Sequence, residues 1–161
     1  MRKSFIFIMV IAAGMIFSFD AGCFAADEIK VGAVQPLTGR FAFAGVHINA
    51  GLEDALMMAN EEGGINGKTI KYIVEDGTYS VDKAVAAFKR IMARDNPVIM
   101  YGESTGMGKA VAPEIKDRYK MLYSSTSFSS ELANAAENPY VFVPGPTYSD
   151  MFDILLKYIA K

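Results

Sequence analysis

Cysteine and histidine are nearly absent: the 161 residues hold one of each, Cys23 and His47. That excludes a metal site built from several Cys and His ligands, and it excludes a disulfide framework. A basic tail or patch is also missing. The 16 basic and 18 acidic side chains leave a net charge of −2, which argues against nucleic acid as a partner. There is no internal repeat and no low-complexity stretch. No set of nucleophile, base and orienting group can be assembled, so neither catalysis nor a bound cofactor has support in the residues. What the chain has instead is apolar content, 52% hydrophobic, too much for a disordered chain. The length fits one ordinary domain.

The apolar residues are unevenly spread, with 18 of them among the first 25 positions. Arg2 and Lys3 precede an apolar run from Phe5 to Phe19, and mostly small residues follow from Asp20 to Ala26. This is the layout of a secretory signal peptide over residues 1–25, with Cys23 and Ala25 at the small-residue positions before the cut. A run of this length, rising ~1.5 Å per residue, falls short of the ~30 Å hydrocarbon core, which counts against a permanent membrane anchor. Export to the periplasm is therefore expected. The alternative is a membrane-anchored lipoprotein through Cys23, although Asp20 stands where a lipoprotein signal usually has Leu. After Ala25 no cysteine remains, which suits an oxidising compartment.

From Ile29 onward the pattern alternates. Ile29–Val34 reads as a buried strand and Leu37–Gly45 as a loop. Val46–Glu62 reads as a helix with Ile48, Leu52, Ala55, Leu56 and Ala59 on one face, stopped by Gly63-Gly64. Thr69–Glu75 alternates as a strand, and Val81–Arg94 carries the helical stripe Val81, Ala84, Val85, Phe88, Ile91 and Met92. Further strands are predicted at Pro97–Tyr101, Lys120–Tyr123 and Tyr140–Val143. A helix is predicted from the Gly102–Gly108 loop to about Arg118, a helical turn over Glu131–Ala136, and another helix from Tyr148. Strands alternating with helices predict an α/β domain with a parallel sheet covered on both faces. Ligands bind such sheets outside the carboxyl ends of the strands. That directs attention to residues 35–45, 76–80, 102–108 and 124–130.

Two of these loops carry chemistry. Gly102–Gly108 spells G-x-x-x-G-x-G, which suggests a dinucleotide loop, but that loop follows the first strand of its fold and this one follows the third. The hydroxyls of Ser104 and Thr105 at a helix start offer an anion site for one carboxylate; the competing reading is a simple helix cap. Ser124–Ser130 has six hydroxyl residues in seven. It is either a solvated turn or a set of carbonyl and hydroxyl groups for an ammonium or amide. Phe41, Phe43 and Tyr79 are candidates for an apolar wall, against a default of ordinary packing. Asp76 is placed to orient a loop. His47 has no second His or Cys beside it, so it reads as a surface residue.

Together these residues resemble the periplasmic branched-chain amino-acid binding proteins, the leucine/isoleucine/valine-binding family of ABC importers. The resemblance is carried by Ile29-Lys30-Val31-Gly32 after a signal peptide, Pro36-Leu37-Thr38-Gly39, Ala59–Gly67, Glu75-Asp76-Gly77, Gly102–Gly106 with Ala110–Pro113, and Ser127–Leu132. It implies a type I periplasmic binding protein, two α/β lobes closing on a small ligand, with no metal and no cofactor. It implies a ligand carboxylate at Thr105 with Ser104 adjacent, and carboxylate and ammonium contacts at Thr126 and Phe128, with Ser127 in the same loop. Phe43 and Tyr79 are the expected side-chain wall. Phe128 lacks the hydroxyl of leucine binders, and Ala44 stands where they have an aromatic residue, so another amino acid, an amide, urea or an aromatic acid stays open. The expected organisation is signal peptide 1–25, ligand-binding lobe 26–143, and 144–161 as hinge and first helix of a second lobe that is largely missing. The implied partners are an amino-acid-like ligand and an ABC permease complex in the membrane. A ligand-sensing domain of the same fold in a receptor or regulator is the alternative.

Overall fold

A computed structural model describes residues 28–160, so the expected export segment, with Cys23, lies outside the described residues. Five parallel strands form one sheet: β1 (Ile29–Gln35), β2 (Ile70–Asp76), β3 (Ile99–Gly102), β4 (Leu122–Ser125) and β5 (Val141–Phe142), in the order β2-β1-β3-β4-β5. Between them run α1 (Ala42–Glu61), α2 (Val81–Arg94) and α3 (Thr105–Glu114), and α4 (Tyr148–Ile159) follows β5. The α/β class and the parallel sheet are as expected.

The core lies on one face of the sheet. Val34, Met100 and Tyr123 meet Ala84, Ala87, Phe88, Ile91 and Met92 of α2, and Met107, Val111 and Ile115 at α3 and its end. The predicted stripe on α2 is thus the buried one, except that Val81 is exposed and Ala87 joins it. Close approach needs a glycine in β1: a Cβ at Gly32 would overlap the Met100 sulfur and crowd Ile91.

On the other face α1 leans on β1 and β2. The Tyr72 hydroxyl donates to Asn49 Oδ1 at 2.8 Å, and Leu52, Leu56 and Ala59 are half-buried. The helix starts at Ala42, four residues before the expected Val46. Its first turn is built against the end of β1, where a Cβ at Gly45 would overlap the Pro36 carbonyl oxygen. Ile48 and Ala55, expected on the buried face, are exposed. Gly63 and Gly64 end the helix with φ of 101° and 72°. Asn60 then joins it to β2, accepting from Ile70 N at 2.7 Å and donating to Ile70 O at 2.8 Å.

Both ends of the fourth strand differ from the prediction: local backbone geometry delays its start, and pairing with β3 extends its end. After α3 the chain widens into a π-helical turn, Ile115–Tyr119, which closes with Lys120 at φ 50° and Lys120 N bonded to Ile115 O at 2.7 Å. The fourth strand therefore starts at Leu122 and runs on to Ser125, so Ser124 and Ser125 are buried sheet residues, not loop. Residues 131–136 form hydrogen-bonded turns instead of a helical turn.

α4 begins with a capping box. Asp150 N donates to Thr147 Oγ1 at 3.3 Å while Thr147 N donates to Asp150 Oδ2 at 2.9 Å. The Thr147 hydrogen bonds hold the Asp150 carboxyl below its usual range. Such caps contribute ~1 kcal/mol, and a helix this short is marginal on its own. Thr147→Ala should speed hydrogen exchange of the Asp150 and Met151 amides roughly fivefold, read by NMR, while the β1 amides stay protected.

Candidate functional site

The carboxyl ends of β1, β2, β3 and β4 share one edge of the sheet, at Gln35, Asp76, Gly102 and Ser125. A cleft of about 110 Å³ opens there, lined by Pro36, Phe41, Ile48, Tyr79, Glu103, Ser104, Thr105, Thr126, Ser127 and Tyr148. A larger hollow of about 350 Å³ lies elsewhere, between α3 and residues 131–138. Its charged rim carries the Lys109–Glu131 ion pair, and it misses the strand ends where parallel sheets bind ligands.

Asp76 holds two loops of the cleft together. Its Oδ1 accepts from Leu37 N at 2.9 Å, Thr38 N at 3.2 Å and Thr78 N at 2.9 Å, and its Oδ2 accepts from the Thr38 hydroxyl. Burial pushes this carboxyl up. The hydrogen bonds from the Thr38 hydroxyl and the three amides outweigh it and hold the group below its usual range. The turn so pinned is strained, because Thr78 and Tyr79 sit in the left-handed region at φ 55° and 57°. Its product is the placement of Tyr79, whose ring stacks on Phe41 at 4.2 Å and 12° with the Arg40 guanidinium 5.6 Å away.

Glu103 closes the floor. It is 3% exposed, and its Oε2 accepts from Tyr79 N at 3.1 Å. Burial, reinforced by nearby Asp76, pushes its carboxyl above the usual range. Beside it the Tyr123 hydroxyl, fully buried and repelled by Glu103 when ionised, is held far above its usual range.

The α3 N-terminus supplies the donors. Ser104 is the N-cap, its Oγ accepting from Met107 N at 3.2 Å, so the capping role is real. The first-turn amides of Thr105 and Gly106 have no acceptor within the helix, and the Thr105 hydroxyl faces the cleft with no hydrogen bond among the described residues. Thr126 donates to Gly102 O from both N and Oγ1, at 2.9 and 2.8 Å. Ser127 is 4% exposed and its hydroxyl has no partner among the described residues.

Of the residues the sequence singled out, the cleft gathers Ser104, Thr105, Thr126, Ser127, Phe41 and Tyr79. Phe43 lies outside it, 71% exposed and tilted against Phe41 at 5.1 Å. Phe41 takes the wall position instead. Phe128 is not in the lining either; its ring lies behind Tyr148, edge-on at 6.0 Å, and against Gly145. Glu103, Pro36, Ile48 and Tyr148 were not expected. Glu103 had a legible signal, a charged residue directly between a strand and a helix N-terminus. His47 is exposed on α1, and the described residues contain no cluster of metal-ligating side chains. None of their helices is long and apolar enough to cross a membrane.

The chain matches the family model described as periplasmic binding protein over residues 28–161. Among curated proteins it is 28% identical to the leucine-, isoleucine-, valine-, threonine- and alanine-binding protein of Pseudomonas aeruginosa, over 70% of this chain and 35% of that protein. It is 24% identical to Leu/Ile/Val-binding protein homolog 3 of Brucella melitensis, over 83% of this chain and 36% of that one. In structure it resembles a branched-chain amino acid ABC transporter protein from Thermus thermophilus with bound valine: TM-score 0.74, 25% identity, 83% of this chain and 35% of the other. It also resembles a fatty acid ABC transporter substrate-binding protein from Thermomonospora curvata: TM-score 0.71, 27% identity, 80% of this chain and 32% of the other. The chain spans about a third of the length of these relatives. It belongs to the periplasmic binding protein family.

Proposed function

We propose that this chain carries the first-lobe half of the ligand site of an extracytoplasmic solute-binding component of an ABC importer. Its ligand is a branched-chain or related amino acid or amide, bound without chemistry and passed to a membrane permease complex. The observation that carries this is the cleft at the strand ends. A helix N-terminus with a free Thr105 hydroxyl stands across from the stacked Phe41–Tyr79 wall, so one end suits a carboxylate and the other an apolar side chain. The relatives, named as amino-acid binders for the most part, support the same class. The division into a lobe over 26–143 and a hinge with a second-lobe helix over 144–161 belongs to this reading, as does delivery by the signal peptide over 1–25. These residues supply one half of such a site, so on their own they should hold the ligand weakly.

The test is an NMR titration of the chain with L-leucine, L-valine and octanoate. An amino acid should shift the Thr105, Gly106 and Thr126 amides saturably. Thr105→Val should weaken that binding roughly 10- to 100-fold, the loss of one hydrogen bond to a charged group, with the melting temperature unchanged. Octanoate binding with no response to either amino acid would point to the fatty-acid class. No perturbation at the α3 N-terminus by any of the three would overturn the reading.

A further inference from the structure

We propose that Glu103 is the positioning residue of the cleft's aromatic wall: it holds the strained Thr78–Tyr79 turn, so that the Tyr79 ring lies on Phe41 and limits the size of side chain admitted. This rests on the reading of the cleft as the ligand site and adds what governs its apolar end.

Three observations converge. First, a left-handed backbone at two successive non-glycine residues persists only when its surroundings over-determine it. Here each strained amide has a carboxylate: Thr78 N donates to Asp76 and Tyr79 N donates to Glu103. Second, Glu103 is held at a cost. Its Oε1 is buried without a partner among the described residues, as are both polar atoms of the Gln35 side chain and the Tyr123 hydroxyl. An orphaned buried carboxylate oxygen is expensive, and what the side chain contributes in return is its hold on the turn, through the bond from Tyr79 N with the Ser80 amide as a second backbone donor. Third, the fold makes room for the carboxylate at the turn. A Cβ at Gly77 would overlap Glu103 Oε2, so the glycine before the turn is what lets the carboxylate reach the Tyr79 amide.

The titratable groups acting on Glu103 are Asp76, from the end of β2, and Tyr123, from β4. Asp76 titrates below the usual carboxylate range and Glu103 above it. The two clamps of the turn are therefore separable by pH. As pH falls, Glu103 neutralises first and its grip on the Tyr79 amide weakens while Asp76 still holds Thr78.

The experiment is NMR of the chain without ligand, for the parent, Glu103→Gln and Glu103→Ala. In the parent, the Tyr79 amide should titrate with a midpoint above the ordinary glutamate value, and the Thr78 amide with one below the ordinary aspartate value. Glu103→Gln, which keeps an acceptor oxygen, should retain the Phe41–Tyr79 ring contacts and lose the upper transition only. Glu103→Ala should lose the ring contacts. If it does not fold, the pH profile of Glu103→Gln against the parent decides. A Tyr79 amide that ignores pH in the parent, or rings that stay stacked in Glu103→Ala, would overturn the proposal. In the ligand arm, Glu103→Ala should reduce the preference for L-leucine over L-alanine about tenfold, and an unchanged preference also overturns it. A parent that binds neither amino acid sinks the functional reading, while the ring contacts still judge the wall.

Discussion

Alanine at Asp76 is expected to destabilise the protein by about 2–3 kcal/mol and to abolish ligand binding at the cleft. The arithmetic starts from the bonds. One carboxylate satisfies the amides of Leu37, Thr38 and Thr78 and the Thr38 hydroxyl. Hydrogen bonds to charged groups contribute ~1.5–3 kcal/mol each when buried, less where water can replace the acceptor, as it can at exposed Thr38. The functional loss exceeds the energetic one, because the residues released are the two loops that together carry the Phe41–Tyr79 wall of the cleft. Asp76→Asn keeps an oxygen for some of the donors and should recover about half of the stability. Urea midpoints measure both variants; equal stability of parent and Asp76→Ala would refute the clamp. The pH dependence has a definite sign. The carboxyl is held below its ordinary value of 3.8 in the folded protein. Its contribution is therefore complete above that value and is lost as pH falls through the lower, folded one.

Much of this was legible in the residues, for physical reasons that differ by position. The α2 stripe could be read because a helix on a sheet buries one face, and Phe88, Ile91 and Met92 mark it. The strand ends could be located, and with them Ser104, Thr105, Thr126 and Ser127, because parallel βα units put their loops on one edge. What could not be read is what depends on long-range geometry. Phe41 and Phe43 are two residues apart and of one type; only the placement of α1's first turn against Pro36 decides which ring meets Tyr79. The serine-rich stretch after Met121 has no hydrophobic signal of its own, so nothing local showed that Ser124 and Ser125 belong to the sheet. Their burial follows from pairing with Tyr101 and Gly102 across β3. For Glu103 the charge between strand and helix start was legible but its task was not, since its partner Tyr79 lies 24 positions away on another loop.

Alanine at Phe88 should produce the largest loss of stability, about 3–5 kcal/mol. The ring is fully buried between α2 and the sheet and meets Tyr119 edge-on at 5.6 Å and 82°. Its removal forfeits the transfer energy and leaves a void that a close-packed core with β-branched Ile91 and Val111 fills only in part. Native domains hold only ~5–15 kcal/mol in all, so the variant should be partly unfolded at 37 °C. The control is Phe43→Ala. The same side chain, 71% exposed, should cost under about 0.5 kcal/mol. Urea melts of the two variants compare burial with chemistry held constant, and similar midpoints would contradict the described core. The consequence reaches the cleft as well. α2 begins at Val81, directly after the Thr78–Tyr79 turn, and Phe88 is the largest side chain anchoring that helix to the sheet. Freeing the helix releases one end of the strained turn, so ligand binding should fail in Phe88→Ala at urea concentrations where the sheet amides are still protected from exchange.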